Sequence, residues 1–349
     1  MAKLLITGDL QFRSSNPLAR KDSFIEAITA KLYEIAELAR QYVVDAVIIP
    51  GDVFDSASVA IPTIVHLAKI LKNFPCPVLT VPGNHDEFGH NLNSIPRTPY
   101  GLLERLEYIH NLHNNCYFIA TNLDFMITGH GFNTETDYDL SQYAMSKEII
   151  DDANAVCRTY QAKGREYSPF YIHVAHGMLL DEAPGTQERF TFVSQLAEIP
   201  EELQPHILVC GHYHFGLDLQ KVGKTLVINP GAISRVTAHV NEISRPIQVA
   251  LLTVNSPEDY HAEFIPLKSA LPGDQVLSRE HIEAKIETDK RMDEFLSLLA
   301  SEGESKFLEV RDIVEDIAAR ENIPESVKRE ALERIGRARE RMAKSEVTG

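Results

Sequence analysis

Five short polar motifs each follow an apolar run. They are Gly8-Asp9-Leu10-Gln11, Gly51-Asp52-Val53-Phe54-Asp55, Gly83-Asn84-His85-Asp86, Ala175-His176-Gly177 and Gly211-His212-Tyr213-His214. Carboxylate, amide and imidazole together suit borderline divalent metals such as Mn²⁺, Fe²⁺ or Zn²⁺. The donors suffice for two ions with one carboxylate between them. Two ions ~3.5–4 Å apart can clamp the attacking and leaving oxygens of a phosphate. The chain carries 34 Lys+Arg against 50 Asp+Glu, a net charge of −16. Such a site would be a cationic pocket in an acidic protein.

The elements that must position these groups are legible as alternating patterns. Lys3–Thr7, Ala46–Pro50 and Pro77–Val81 are apolar strand-like runs. Ser23–Tyr42 and Ile64–Leu71, between them, carry apolar residues at helical spacing. Glycine closes each strand, letting the backbone turn and face polar side chains inward. Ligands in layered α/β folds bind outside the carboxyl ends of strands. All five motifs can therefore converge on one rim. Further strands are predicted at Cys116–Ala120, Phe125–Thr128, Phe170–Ala175, Ile207–Cys210, Thr225–Ile228, Gln248–Val254 and His261–Pro266, with a long helix at Leu140–Gln161. The expected fold is a layered α/β domain with a mixed two-sheet β core flanked by helices. A boundary near Leu271-Pro272-Gly273 divides this domain, residues 1–270, from a charged helical region, 271–349. In that region Ile282, Ile286, Met292, Phe295, Leu296 and Leu299 begin a three- and four-residue apolar spacing. Pro324 starts the last predicted helix.

Composition removes other classes. Apolar residues at 44% and charged residues at 24% exclude whole-chain disorder. No apolar run reaches the ~18 residues of a membrane span. The opening MAKLLITGDLQ lacks the apolar core of a secretory signal, so a cytoplasmic location and no membrane partner are expected. Cys76, Cys116, Cys157 and Cys210 form no CxxC pair and read as reduced, mostly buried thiols. A pI near 5.3 counts against nucleic-acid binding through a basic face. It leaves open a nuclease whose metals supply the positive charge. GxSxG, Walker, HExxH and GxGxxG patterns are all absent.

In order, the five motifs resemble those of the calcineurin-like metallophosphoesterase family: GD-x-H, GD-x-x-D, GNH-D/E, a lone His and GH-x-H. The resemblance spans roughly residues 3 to 235. It implies that Asp9, Gln11, Asp52 and His214 hold a first metal, with Asp52 bridging. Asn84, His176 and His212 complete a second. His85 would face the substrate, stabilise charge in the transition state and protonate the leaving oxygen. A hydroxide activated by both metals would be the nucleophile. GDVFDSASV, GNHDEFG and INPGAISRV are similar to SbcD-type DNA nuclease subunits, including phage-type relatives. That likeness implies a DNA substrate, a homodimer, and an SbcC-type coiled-coil ATPase docked on the C-terminal helices. The chain is short for the capping domain of larger members. Two alternatives stay open: a small-molecule phosphodiesterase or phosphatase, for example on cyclic nucleotides, and a catalytically weak scaffold.

Neighbouring polar residues have blander readings. Asp55 is expected to orient the following helix, and Asp86 to support the ligand loop. His130 rivals His176 as the lone His, and the better strand before His176 favours the latter. His173 reads as packed. His90, His110 and His113 read as exposed, and Arg235 as solvated rather than phosphate-binding.

Gln11 stands where the family usually has His. An amide oxygen binds hard cations but is a weaker ligand than imidazole for Zn²⁺ or Fe²⁺. Mn²⁺ is therefore the expected metal, with Mg²⁺, Fe²⁺ or Zn²⁺ as alternatives. Metal titrations of wild type and Gln11→His should show tighter Zn²⁺ binding by the variant; equal affinities would refute this reading of Gln11.

Overall fold

The computed structural model describes residues 1–120, 124–133, 137–152, 155, 169–181, 189–280, 314, 318 and 323–334. The chain divides into two units, Met1–Arg279 and Glu280–Gly349. In the first, Leu277 bridges to Arg20, so the segment just past 270 packs with the strand-rich domain rather than apart from it. In the second, a helix covers 325–334, just after Pro324. The apolar spacing at Ile282–Leu299 lies outside the described residues.

Two six-stranded sheets form the first unit. β1 (Ala2–Ile6), β2 (Ala46–Ile49), β3 (Val78–Thr80) and β4 (His110–Asn111) run parallel. β13 (Gln248–Val254) lies antiparallel to β1, and β14 (Tyr260–Pro266) antiparallel to β13. In the second sheet β6 (Asp124–His130), β7 (Phe170–Gly177), β10 (Ile207–His212) and β12 (Thr225–Ile228) run parallel. β5 (Cys116–Ala120) and β11 (Gln220–Val222) close its two edges antiparallel. A short parallel pair, β8 (Leu179–Leu180) with β9 (Thr191–Phe192), stands apart.

Side-chain alternation explains the layering. Leu4 and Ile6 enter the core between the sheets with Ile48, Leu79, Ile172, Val174 and Val209. Leu5, Val47 and Ile49 face the other way, against α1 (Phe24–Tyr42) and α2 (Ile61–Leu71). Covered on both faces, these strands must be apolar throughout, which is how their sequences read. Helix α1 is bounded as its sequence suggests. Ser23 accepts from the Glu26 N–H at its start, and Val43 ends it at φ 52°.

The predicted long helix at Leu140–Gln161 is not continuous. Leu140–Tyr143 is a 3₁₀ turn, capped by Asp139, and a separate helical turn begins at 147. Tyr143 is fully buried and Met145 donates its N–H to the Leu203 carbonyl, so tertiary contacts override the helical pattern. The residues after 155 lie outside the described part until 169. Among the described cysteines only Cys210 is buried; Cys76 is half-buried and Cys116 exposed.

Ile172 is fully buried on one of the two central strands of the second sheet. Ile172→Ala is expected to destabilise the unit by about 2–5 kcal/mol, the usual cost of such a cavity. Urea unfolding of the two proteins measures it.

Candidate metal centre

Strand ends from both sheets meet at one rim. Asp9 follows β1, Asp52 follows β2, and Asn84 and His85 follow β3; His176 and His212 end β7 and β10. Two groups of ligand atoms lie within 4.8 Å of one another: Asp9, Asp52 and His214, and Asp52, His176 and His212. Asp52 belongs to both. Asn84 joins the second, its Oδ1 3.1 Å from His176 Nε2. Gln11 reaches the first through its side-chain nitrogen, 3.2 Å from His214 Nε2. Its amide oxygen accepts from the Ser234 hydroxyl at 3.1 Å.

The donor set fits divalent cations. His176 Nδ1 donates to the Pro50 carbonyl at 2.7 Å, which leaves Nε2 as a lone pair. That lone pair faces Asn84 Oδ1 at 3.1 Å and Asp52 Oδ1 at 3.5 Å. Three acceptors converging with no donor between them repel unless a cation intervenes. Asp52 Oδ2 is buried and has no hydrogen-bond partner. Buried oxygens of this kind are paired or bind metal.

Strain and close approach build the rim. Gln11, Asp52 and His212 sit at φ 45°, 47° and 73°, a region that costs non-glycine residues energy and clusters at functional sites. Gly51, at φ 106°, makes the turn before Asp52, and a Cβ there would strike the His176 ring. Gly83 serves for room rather than for turning: a Cβ would collide with Asp52 Oδ1.

His85 stands beside this set. Its Nδ1 donates to the Asp55 carbonyl at 2.7 Å, and its Nε2 lies 3.9 Å from Asp52 Oδ2. Burial opposes its charging, but the Asp52 carboxylate and the Asp55 carbonyl outweigh burial and raise its pKa above the usual value. Burial likewise raises the Asp9 carboxyl, yet the His214 hydrogen bond and the nearby imidazoles hold it below the ordinary range. Burial above all pushes His212 down to about 3, keeping it a neutral donor.

Asp55, His110 and His113 differ from their sequence readings, and Asp86, His130, His173 and His90 match theirs. Asp55 does not cap a helix; it pairs with Arg13 at 2.8 Å, and α2 begins later, after Ala60. Asp86 is buried and accepts from the N–H groups of Val53, Phe54 and Gly83, tying the second motif to the third. His130 packs edge-on against His113 at 5.0 Å and joins neither ligand group. His173 is buried between Thr128 and the Gln142 carbonyl. His113 is half-buried, not exposed, and burial pushes its pKa down to about 4. His110 is half-buried too, while His90 is exposed.

Arg235 is the clearest correction. It is 4% exposed and donates to the carbonyls of Glu242, Leu271 and Arg245. It belongs to a buried cationic clamp on residues 232–234. Lys31 donates to the Ile233 carbonyl at 2.7 Å, and Arg245 to those of Ala232 and Ser234 at 2.6 Å each. The same three residues face the rim from their other side. Ala232 and Ile233 donate to the His214 and Asp9 carbonyls, and Ser234 to Gln11. Nothing in local spacing signals this clamp, since Lys31 lies 202 positions from its partner.

The calcineurin-like phosphoesterase profile matches residues 2–216, more than half of the chain. The chain belongs to that family. Its chemistry is metal-dependent hydrolysis of a phosphoester, and its Asp and His residues at the rim are candidate ligands for the family's two metals. Solved structures are similar at low identity. The Thermus thermophilus protein TT1561 is 14% identical with a TM-score of 0.45, over 76% of this chain and 99% of its own. A dimetal phosphatase from Danio rerio is 12% identical with a TM-score of 0.45, over 77% and 99%. A 5′-nucleotidase precursor from Thermus thermophilus is 13% identical with a TM-score of 0.44, over 78% and 56%. No curated protein matches the chain. No helix among the described residues is long and apolar enough to cross a membrane.

Lys31 gives the clamp a pH signature. Burial, then Arg20, Arg235 and Arg245, pushes its pKa from 10.5 down to about 7. Between these values the unfolded chain binds more protons, so this group's contribution to stability rises with pH. The penalty for burying the ammonium is full below about 7 and gone above 10.5. The stability of wild type relative to Lys31→Met is expected to climb across that window. Denaturant midpoints for both proteins from neutral to alkaline pH will show the climb or its absence.

Proposed function

We propose that this phosphoesterase hydrolyses phosphodiesters in DNA, as an SbcD-type nuclease subunit working with an SbcC-type ATPase. The observation that carries the hydrolytic part is Asp52, one buried carboxylate shared by two ligand groups with His85 beside it. The DNA part rests on the motif likeness and on the helical region after 280. Most of that region, the expected docking surface, lies outside the described residues.

In this reading Asp9, Asp52 and His214 hold one cation, with Gln11 beside them. Asp52, Asn84, His176 and His212 hold the other. The bound cations, with Mn²⁺ the proposed metal, would supply Lewis-acid activation of water and neutralise phosphate charge. His85 does the rest as a residue of this chain. With Nδ1–H fixed on Asp55, its Nε2–H is free to face the substrate. In its protonated form it would donate from Nε2 to the leaving oxygen. Asp86 holds the second and third motifs together, so that His85 and Asp52 keep their separation.

One observation favours a second reading, a small-molecule phosphodiesterase. The cleft beside Asp52 and His85 measures about 330 Å³ and is lined by no lysine or arginine among the described residues. A duplex grip would need phosphate-binding cations there or on a partner.

End-labelled single- and double-stranded DNA should be digested by the purified chain with Mn²⁺ and not with EDTA. His85→Ala is expected to lose about 10²–10⁴-fold in kcat, the usual worth of a general acid, while binding metal as wild type does. Intact DNA alongside hydrolysis of a generic small phosphodiester would exclude the nuclease for the isolated chain and favour the second reading.

A further inference from the structure

The segment that supplies His212 and His214 also supplies Tyr213 and Phe215. All four line the same cleft, together with Asp52 and His85. Tyr213 and Phe215 are half-buried, with rings 5.5 Å apart and nearly perpendicular, at 89°. Phe215 also lies 5.3 Å from the His239 ring, tilted by 35°. The two aromatic residues form a ridge, because they line a second cleft of about 430 Å³ as well. Among the described residues neither cleft is lined by a lysine or arginine; the charged residues there are Asp52, Asp181, Asp218 and Glu242.

This combination restricts what can lie next to the reacting phosphate. A second phosphate would meet carboxylates. An aliphatic chain would leave the π-faces unused. A planar, uncharged aromatic group can stack on the face of one ring and meet the other, perpendicular ring edge-on, and stacking is tolerant of which base is present.

We propose that Tyr213 and Phe215 form a stacking platform for the nucleobase adjoining the scissile phosphate. The proposal rests on the reading of the substrate as a nucleotide phosphodiester and names how one nucleotide of it is held. It assigns recognition to π-contact, with the metals alone carrying phosphate affinity. DNA and cyclic nucleotides both present such a base, so the platform suits either substrate.

Binding tests it apart from cleavage. The Mn²⁺-loaded protein is titrated with deoxyadenosine monophosphate and with 2-deoxyribose 5-phosphate, which lacks the base. Wild type should bind the nucleotide at least about tenfold tighter, the factor expected of one stacked base. Phe215→Ala and Tyr213→Ala should each narrow the preference, and Phe215→Trp should keep it. Thermal melting identifies any variant that has lost its fold, and the wild-type comparison stands without variants. Equal affinity of wild type for both probes overturns the platform, as does a preference that survives both alanine substitutions. Base-dependent binding without DNA or small-diester cleavage would instead refute the proposed activity and leave the platform standing.

Discussion

The molecule is organised around the burial of Asp52. This carboxylate is 1% exposed, sits at φ 47°, and leaves Oδ2 with no hydrogen-bond partner. Removing an unpaired carboxylate from water costs several kcal/mol even after relaxation. The surrounding structure offsets only part of this. The His85 N–H donates to Oδ1 at 3.0 Å, and Oδ2 is left for something else. The Asp52 backbone is used too: its carbonyl accepts from the N–H groups of Leu10 and Gln11. The first two motifs are thereby one hydrogen-bonded unit. Gly83 then lets the third motif approach where a side chain would collide. A strained, dehydrated acid is thus held by three motifs at once, as a site pre-organised for cations requires.

Much of this was legible in the sequence, for a specific reason. Asp9, Asp52, Asn84, His176, His212 and His214 each stand at the end of a largely apolar strand or just past it, so the strand ends could be read from short runs. The two-sheet core was legible for the same reason. The role of the glycines was misread in part. Gly83 is needed for the absence of a Cβ, a constraint set by a side chain 31 positions away, and no local pattern records it. Arg235 looked solvated because its partners are backbone carbonyls, which carry no sequence signature. The helical spacing at Leu140–Gln161 is genuine, but Tyr143 and Met145 are pulled into separate hydrophobic contacts. Tertiary packing there outweighs propensity. The short strands β8, β9 and β11 have two or three residues each, too few for a period to register.

The rim is also backed from behind. Residues 232–234 present carbonyls to Lys31 and Arg245, and N–H or hydroxyl groups toward His214, Asp9 and Gln11. Backbone carbonyls are partial negative charges, so they can accept buried cations without adding a carboxylate near the ligands. Arg245 retains one ion pair, with Glu242 at 2.9 Å. The clamp therefore fixes the loop through its carbonyls, and through Glu242 it reaches the cleft that Asp52 and His85 line.

Ligands drawn from both sheets have an energetic consequence. Asp9, Asp52 and Asn84 follow strands of the first sheet, and His176 and His212 end strands of the second. The core between the sheets is an apolar cluster, which resists separation but does not fix lateral position as directional bonds do. The rim supplies the missing directionality through His176 on the Pro50 carbonyl and the His212 N–H on Asp9. Cations bound by both groups would add ligands from each side to those bonds. Whatever binds the folded state and not the unfolded one stabilises it by mass action. Because this group of donors assembles only when the two sheets are in register, metal affinity and the packing of the two sheets are coupled quantities. A substitution between the sheets can therefore weaken metal binding without touching a ligand.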